Sequence, residues 1–154
     1  MDKRYKLAEE TFVMVVGPER DKPLFKFMLS RCYIRNKKPQ KAWDIMTKSE
    51  NTNDRLNLLK LIAHDCYIAT EYYFSTKAFH EIEKLDPSPE NWNGKRGACA
   101  GLFRQLTTQK NDQVLVHQMR EVLQLIDSNH HPNCEFLLKV IRSWGESHNV
   151  PLTI

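Results

Sequence analysis

Leu59, Ile62, Ala63 and Cys66 fall at i, i+3, i+4 and i+7. At 3.6 residues per turn these positions return to one side, so the spacing dictates a helix with a single apolar stripe. A second stripe, Ser75, Phe79 and Ile82, follows after a short polar break and ends at Asp86-Pro87. With only a few residues between them, the two helices must lie antiparallel and share their apolar faces. The uninterrupted run from Leu56 to Arg104 holds this hairpin, its closing Pro and a Gly-rich continuation.

The hairpin has a copy. Leu29-Ser30, Tyr33, Ala42 and Met46 stand 33 positions before Ile62-Ala63, Cys66, Ser75 and Phe79. The tripeptide Cys32-Tyr33-Ile34 recurs as Cys66-Tyr67-Ile68 at a shift of 34, so two registers compete. The small residues decide for 33, because Ala42 and Ser75 must let two helices approach closely. Leu59, Ile62-Ala63, Cys66, Ser75, Phe79 and Pro87 resemble the tetratricopeptide pattern, whose period is ~34 residues. The expected fold is all-α, a right-handed array of antiparallel helical hairpins forming a tetratricopeptide-like α-solenoid of about eight helices. Residues 1–154 are expected to form one helical-repeat domain, with two tetratricopeptide-like hairpins over 24–87 and degenerate C-terminal capping helices over 88–154.

Composition narrows the class. In 154 residues, 41% hydrophobic and 27% charged side chains exclude a wholly disordered chain. No apolar run approaches the ~20 residues of a membrane span, and Met1-Asp2-Lys3-Arg4 leads into an amphipathic stretch rather than a secretory core. The expected compartment is the cytosol or one continuous with it. Cys32, Cys66, Cys99 and Cys134 sit in separate apolar patterns and read as buried thiols. His130-His131 with Cys134 is the cluster to weigh as metal ligands, but it lacks a C-x2-C partner, and no metal or other cofactor is expected. Residues 1–48 carry twelve Lys/Arg and six Asp/Glu, and residues 49–154 eleven and thirteen, so the net +4 divides as +6 and −2. A basic first part fits an acidic protein surface as readily as nucleic acid.

In chain order, a helix is expected over Tyr5 to Val16, with Leu7, Ala8, Phe12, Val15 and Val16 apolar and Glu9-Glu10 opposite, closed by Gly17-Pro18. Asp21 is the expected cap of a helix over Leu24 to Asn36, and Pro39 opens its partner. Asn53 or Asp54 should cap the second hairpin. Gly97, Ala98, Ala100 and Gly101 give the helix after Pro89 a small-residue face for close packing. Asp112 should cap Gln113 to Ile126, and Cys134 to Gly145 forms the last helix.

No string carries recognisable catalysis. Gly94-Lys95-Arg96-Gly97 has the G-x-x-G form of an RNA-clamping loop but lacks strands around it, and it is no P-loop. Lys95 and Arg96 are read instead as covering a helix surface or meeting an acidic partner. His64-Asp65 are sequence neighbours pointing about 100° apart, poor geometry for a proton relay. Phe27, Arg31 and Arg35 fall at i, i+4 and i+8, as do Lys60, His64 and Ile68, with Tyr67 alongside. In stacked hairpins such faces line one groove, and a mixed basic and aromatic groove holds a peptide or helix.

The string from Lys77 to Phe103, KAFHEIEKLDPSPENWNGKRGACAGLF, resembles the C-terminal region of the tetratricopeptide subunit of intraflagellar transport complex B, the intraflagellar transport protein fifty-six family. Asn91-Trp92-Asn93 departs from it where an aromatic and an acidic residue are expected beside the Trp. The resemblance implies a non-enzymatic scaffold of the trains that move along ciliary microtubules. It implies other complex-B subunits and ciliary cargo as partners, action in the cilium or flagellum and the cytoplasm at the ciliary base, and no membrane or nucleic-acid ligand. The alternative is a general cytoplasmic tetratricopeptide adaptor for an acidic peptide. Family members are much longer, so this chain is expected to be the end of one, with an apolar face of its first helix left open.

Overall fold

The computed structural model describes residues 2–128 and 131–152, and His130 lies outside them. Among the described residues there are eight α-helices and no strand: α1 (Lys3–Met14), α2 (Pro23–Arg35), α3 (Pro39–Thr47), α4 (Thr52–Ile68), α5 (Tyr72–Leu85), α6 (Pro89–Thr108), α7 (Gln113–Asp127) and α8 (Cys134–Ser147), with a 3₁₀ turn over Pro18–Asp21. Neighbouring helices pack in sequence order, and α5 also touches α7, as expected of an α-solenoid. Among the described residues no helix is long and apolar enough to cross a membrane.

Local chemistry explains most boundaries. Pro23, Pro39 and Pro89 stand in the first turns of α2, α3 and α6, where a missing N–H costs nothing. Side chains cap four helices: Asp2 (α1), Asn51 (α4), Ser88 (α6) and Asp112 (α7). Asn51, accepting from Asn53 N and Asp54 N at 2.9 and 3.1 Å, replaces the expected Asn53 or Asp54, because it is the residue still in extended backbone. Asp21 caps nothing. It is taken up in the 3₁₀ turn, and Lys22 precedes α2 without a side-chain cap.

The 33-residue register is written in the turns. Lys38 N donates to Tyr33 O and Glu71 N to Cys66 O, both at 2.8 Å. Lys37 and Thr70 take the left-handed φ of 61° and 62° that this helix ending requires. A third copy, Val150 N to Gly145 O around Asn149, closes α8. The lysine of the first turn also donates to Ala69 O and lies 3.6 Å from Glu71, tying one turn to the next.

Two apolar cores lie end to end. The first joins α2 to α5 through Leu29, Ile34, Met46, Leu59, Ile62 and Phe79, and the second joins α6 to α8 through Leu102, Met119, Leu123, Ile126 and Ile141. Ala42 and Ser75 are fully buried at the helix crossings, with Ser75 Oγ donating to Ala63 O at 2.7 Å. All four cysteines are buried and free, and burial pushes the Cys99 thiol up to about 12. On α1 Ala8 and Phe12 turn inward as expected, but Glu9 is 8% exposed while Leu7 and Met14, with Val16 beyond the helix end, face solvent. The reason is ionic: Lys38 and Asn36 donate to the Glu9 carboxylate. Burial would raise its pKa, but those two donors hold it below the ordinary value.

The cores meet where α6 crosses α5. A Cβ on Gly94 would stand 2.5 Å from the buried Phe79 ring, and one on Gly101 2.6 Å from Tyr72, whereas one on Gly97 meets nothing nearer than 3.5 Å. Gly94→Ala should therefore lose about 1–3 kcal/mol by overpacking. Gly97→Ala should be neutral or gain up to about 1 kcal/mol of helix propensity. Thermal unfolding followed by circular dichroism checks both.

Candidate functional site: a trough across the first helices

A hollow of about 600 Å³ lies between α2 and α4, lined by Leu24, Lys26, Phe27 and Arg31 from one and Asp54, Lys60, Leu61 and His64 from the other. It forms because the two helices are matching members of successive hairpins and present the same face. Leu58 and Leu61 close the floor, and Leu24 stands 72% exposed at the mouth.

Inside it, Arg31 Nε donates to the buried Asp65 carboxylate at 2.9 Å while its guanidinium sits 5.2 Å over the Phe27 ring. The arginine is thus stretched flat along the wall, half exposed, with its ion pair already made. His64 packs edge-on against Phe79 at 5.4 Å, fixing the imidazole on the rim. Among the described residues, Lys26 and Lys60 have no salt-bridge partner. Apolar floor, aromatic wall and unpaired ammonium groups together line this open trough.

Of the residues singled out from sequence, Phe27, Arg31, Lys60 and His64 come together here, and four do not. Arg35 turns away under α1, its guanidinium 5.8 Å over Tyr5. Steps of 100° put position i+8 some 80° around from i, which carries Arg35 off the face that Phe27 defines. Tyr67 covers α6 instead, edge-on to Tyr72 at 5.5 Å and against Gly97. Arg96 is exposed on α6, outside the trough. Lys95, read as a surface cation, is 0% exposed. Gly94 to Gly97 is the second turn of α6, so its amides close helix bonds and form no phosphate clamp.

Lys95 belongs to a buried ionic cluster between the two cores. Its Nζ donates to Glu83 Oε2 at 3.1 Å and Leu125 O at 3.3 Å, and lies 2.9 Å from His80 Nδ1. An ammonium has no acceptor, so Nδ1 accepts and His80 is neutral with its proton on Nε2. Burial, then the charges of Lys95 and Lys84, lower the His80 pKa against the opposing pull of Glu81 and Glu83. Burial likewise lowers that of Lys95, opposed by Glu83. The sequence held a signal for this cluster: Thr76, Phe79, His80 and Glu83 fall at i, i+3, i+4 and i+7, and Trp92, Lys95, Cys99 and Leu102 at heptad spacing. Polar residues on a buried stripe require one another. Lys26, Leu24 and Asp54, missed in the trough, carried no such mark.

Around His131, the ring stacks on Trp92 at 4.2 Å and Nδ1 accepts from Asn133 N. Among the described residues no three His, Cys, Asp or Glu side chains stand as a set of metal ligands.

Fold and trough define a helical-hairpin repeat protein whose developed surface is an open, basic and apolar channel across its first helices. Residues 1–153 match the family model for Intraflagellar transport protein 56, and the chain belongs to that family. It is 63% identical over 150 residues to the Intraflagellar transport protein 56 homolog of Caenorhabditis elegans, a match covering 97% of this chain and 26% of the relative. The chain therefore spans about a quarter of the length of that curated relative. No solved structure matches it.

The buried cluster sets a pH response. Because the folded state depresses the His80 pKa below 6.5, the unfolded chain takes up a proton there first, and stability must fall as pH drops through 6.5. Urea midpoints should decline from pH 7 to pH 5, and His80→Gln should flatten that decline. Glu83→Gln, which strips the buried ammonium of its counter-charge, should cost about 3–5 kcal/mol at pH 7, read from the same titration.

Proposed function

We propose that this chain is a non-enzymatic scaffold segment of intraflagellar transport complex B, acting in the cilium or flagellum and in the cytoplasm at the ciliary base. In this reading residues 24–87 form two tetratricopeptide-like hairpins, residues 88–154 are degenerate capping helices, and the whole is a C-terminal region of the longer family protein. Its partners are other complex-B subunits, with ciliary cargo as a second class. The observation that carries the proposal is the family match over residues 1–153, joined to a trough built for contact. Phe27, Arg31 and His64 have their side chains held by neighbours, which lowers the ordering cost of binding.

The site residues retained for this role are Phe27, Arg31, Lys60 and His64, to which Leu24 and Lys26 are added. Tagged chain expressed in ciliated cells should co-purify a complex-B subunit in stoichiometric amount, identified by mass spectrometry. Leu24→Asp places a carboxylate at the start of α2, where the helix dipole welcomes it, so folding is retained. Recovery of the subunit should fall about tenfold, the effect of burying one unpaired charge at an apolar anchor. A chain recovered without any complex-B subunit, or equal recovery with Leu24→Asp, would reject the reading or the site respectively.

A further inference from the structure

The trough does not end at α4. Beyond Lys60 and His64, which line both parts, it continues into a second hollow of about 440 Å³, floored by Leu56 and Ile82 and rimmed by Leu85, Asp86 and Glu90. The two parts differ in charge. The α2–α4 part sets Lys26, Arg31 and Lys60 against Asp54 and Asp65, and Arg31 already answers Asp65. In the second part Lys60 alone faces Asp86 and Glu90, and among the described residues neither carboxylate is ion-paired with a Lys or Arg. One end is basic, the other acidic, and each carries an exposed leucine, Leu24 at 72% and Leu85 at 66%.

We propose, resting on the reading that this face docks another train subunit, that the trough seats one polypeptide segment whose charge changes sign along its length. Acidic side chains lie over Lys26 and Lys60, basic ones over Asp86 and Glu90, and apolar residues meet Leu24 and Leu85. Such a segment gains at both ends and has one charge-matched placement, which is how complementarity fixes register. A uniformly acidic peptide gains at α2 and is repelled at α6. A nucleic acid, one negative charge per phosphate, is repelled there too.

The test uses this chain and three fluorescent amphipathic helical peptides of roughly 20 residues, identical in their leucines. One is acidic at one end and basic at the other, one acidic throughout, and one carries Gln at every charged position. An RNA oligonucleotide of similar length is the fourth probe. Anisotropy titrations at low salt should show the mixed peptide binding about tenfold tighter than the acidic one, with the advantage shrinking as salt screens it. Glu90→Lys, on an exposed first turn, should invert that order, and Lys60→Glu should weaken the mixed peptide by about tenfold. Circular dichroism of each variant confirms the fold. Equal binding of mixed and acidic peptides, an order unchanged by Glu90→Lys, no binding of any peptide, or tighter binding of RNA each overturns the proposal. Selectivity for the mixed peptide in a chain that recovers no complex-B subunit from cells would leave the trough's chemistry standing and reject the complex-B assignment. Recovery of the subunit without peptide selectivity would do the reverse.

Discussion

The close crossing of α6 over α5 is the contact on which the rest of the structure depends. Gly94 and Gly101 have no Cβ, and into the space they leave sit the rings of Phe79 and Tyr72. Phe79 belongs to the first core and Tyr72 packs against the second, so the crossing touches both. A methyl at either position must displace the Phe79 or Tyr72 ring and so loosens the crossing that joins the two cores.

The same crossing brings Lys95 under α5. A fully buried ammonium is tolerated because Glu83, Leu125 O and His80 Nδ1 take up its donors, and removing any one leaves a charge in a dry interior. The cluster adds little net stability over an apolar filling, yet it permits one relative placement of α5, α6 and α7, since Glu83 and His80 come from the first, Lys95 from the second and Leu125 from the third. It also positions the surface. With α6 locked against α5, Asp86 at the end of α5 and Glu90 in the first turn of α6 stand at the end of a trough that α2 and α4 open. A buried ion pair thereby sets the geometry of an exposed face.

Much of this was legible in the chain. The period of 33 appears in Leu29, Tyr33, Ala42 and Met46 against Ile62, Cys66, Ser75 and Phe79, and the turns at Lys37 and Thr70 carry it as repeated backbone bonds. Asp112 and the N-terminal prolines marked helix starts through purely local chemistry. Of the eight residues singled out as candidates for partner contact, Phe27, Arg31, Lys60 and His64 reached the trough. Arg35 and Tyr67 did not, because rotation along a helix and the position of α1 and α6 decide which part of a face remains open. Glu9 was misplaced because its burial rests on Lys38 and Asn36, thirty residues away.

By itself the sequence determined helix positions, hairpin pairing, repeat period and the absence of a membrane-length apolar run. These follow from spacing, caps and turn residues acting within one or two turns of each other. Only the tertiary structure decided which charges face water. Lys95 and Arg96 are neighbours in one basic string, but a rotation of 100° buries the first between Glu83 and His80 and leaves the second in solvent. The electrostatic cost of burying a charge depends on the partners that distant elements bring to it, and no local pattern records them.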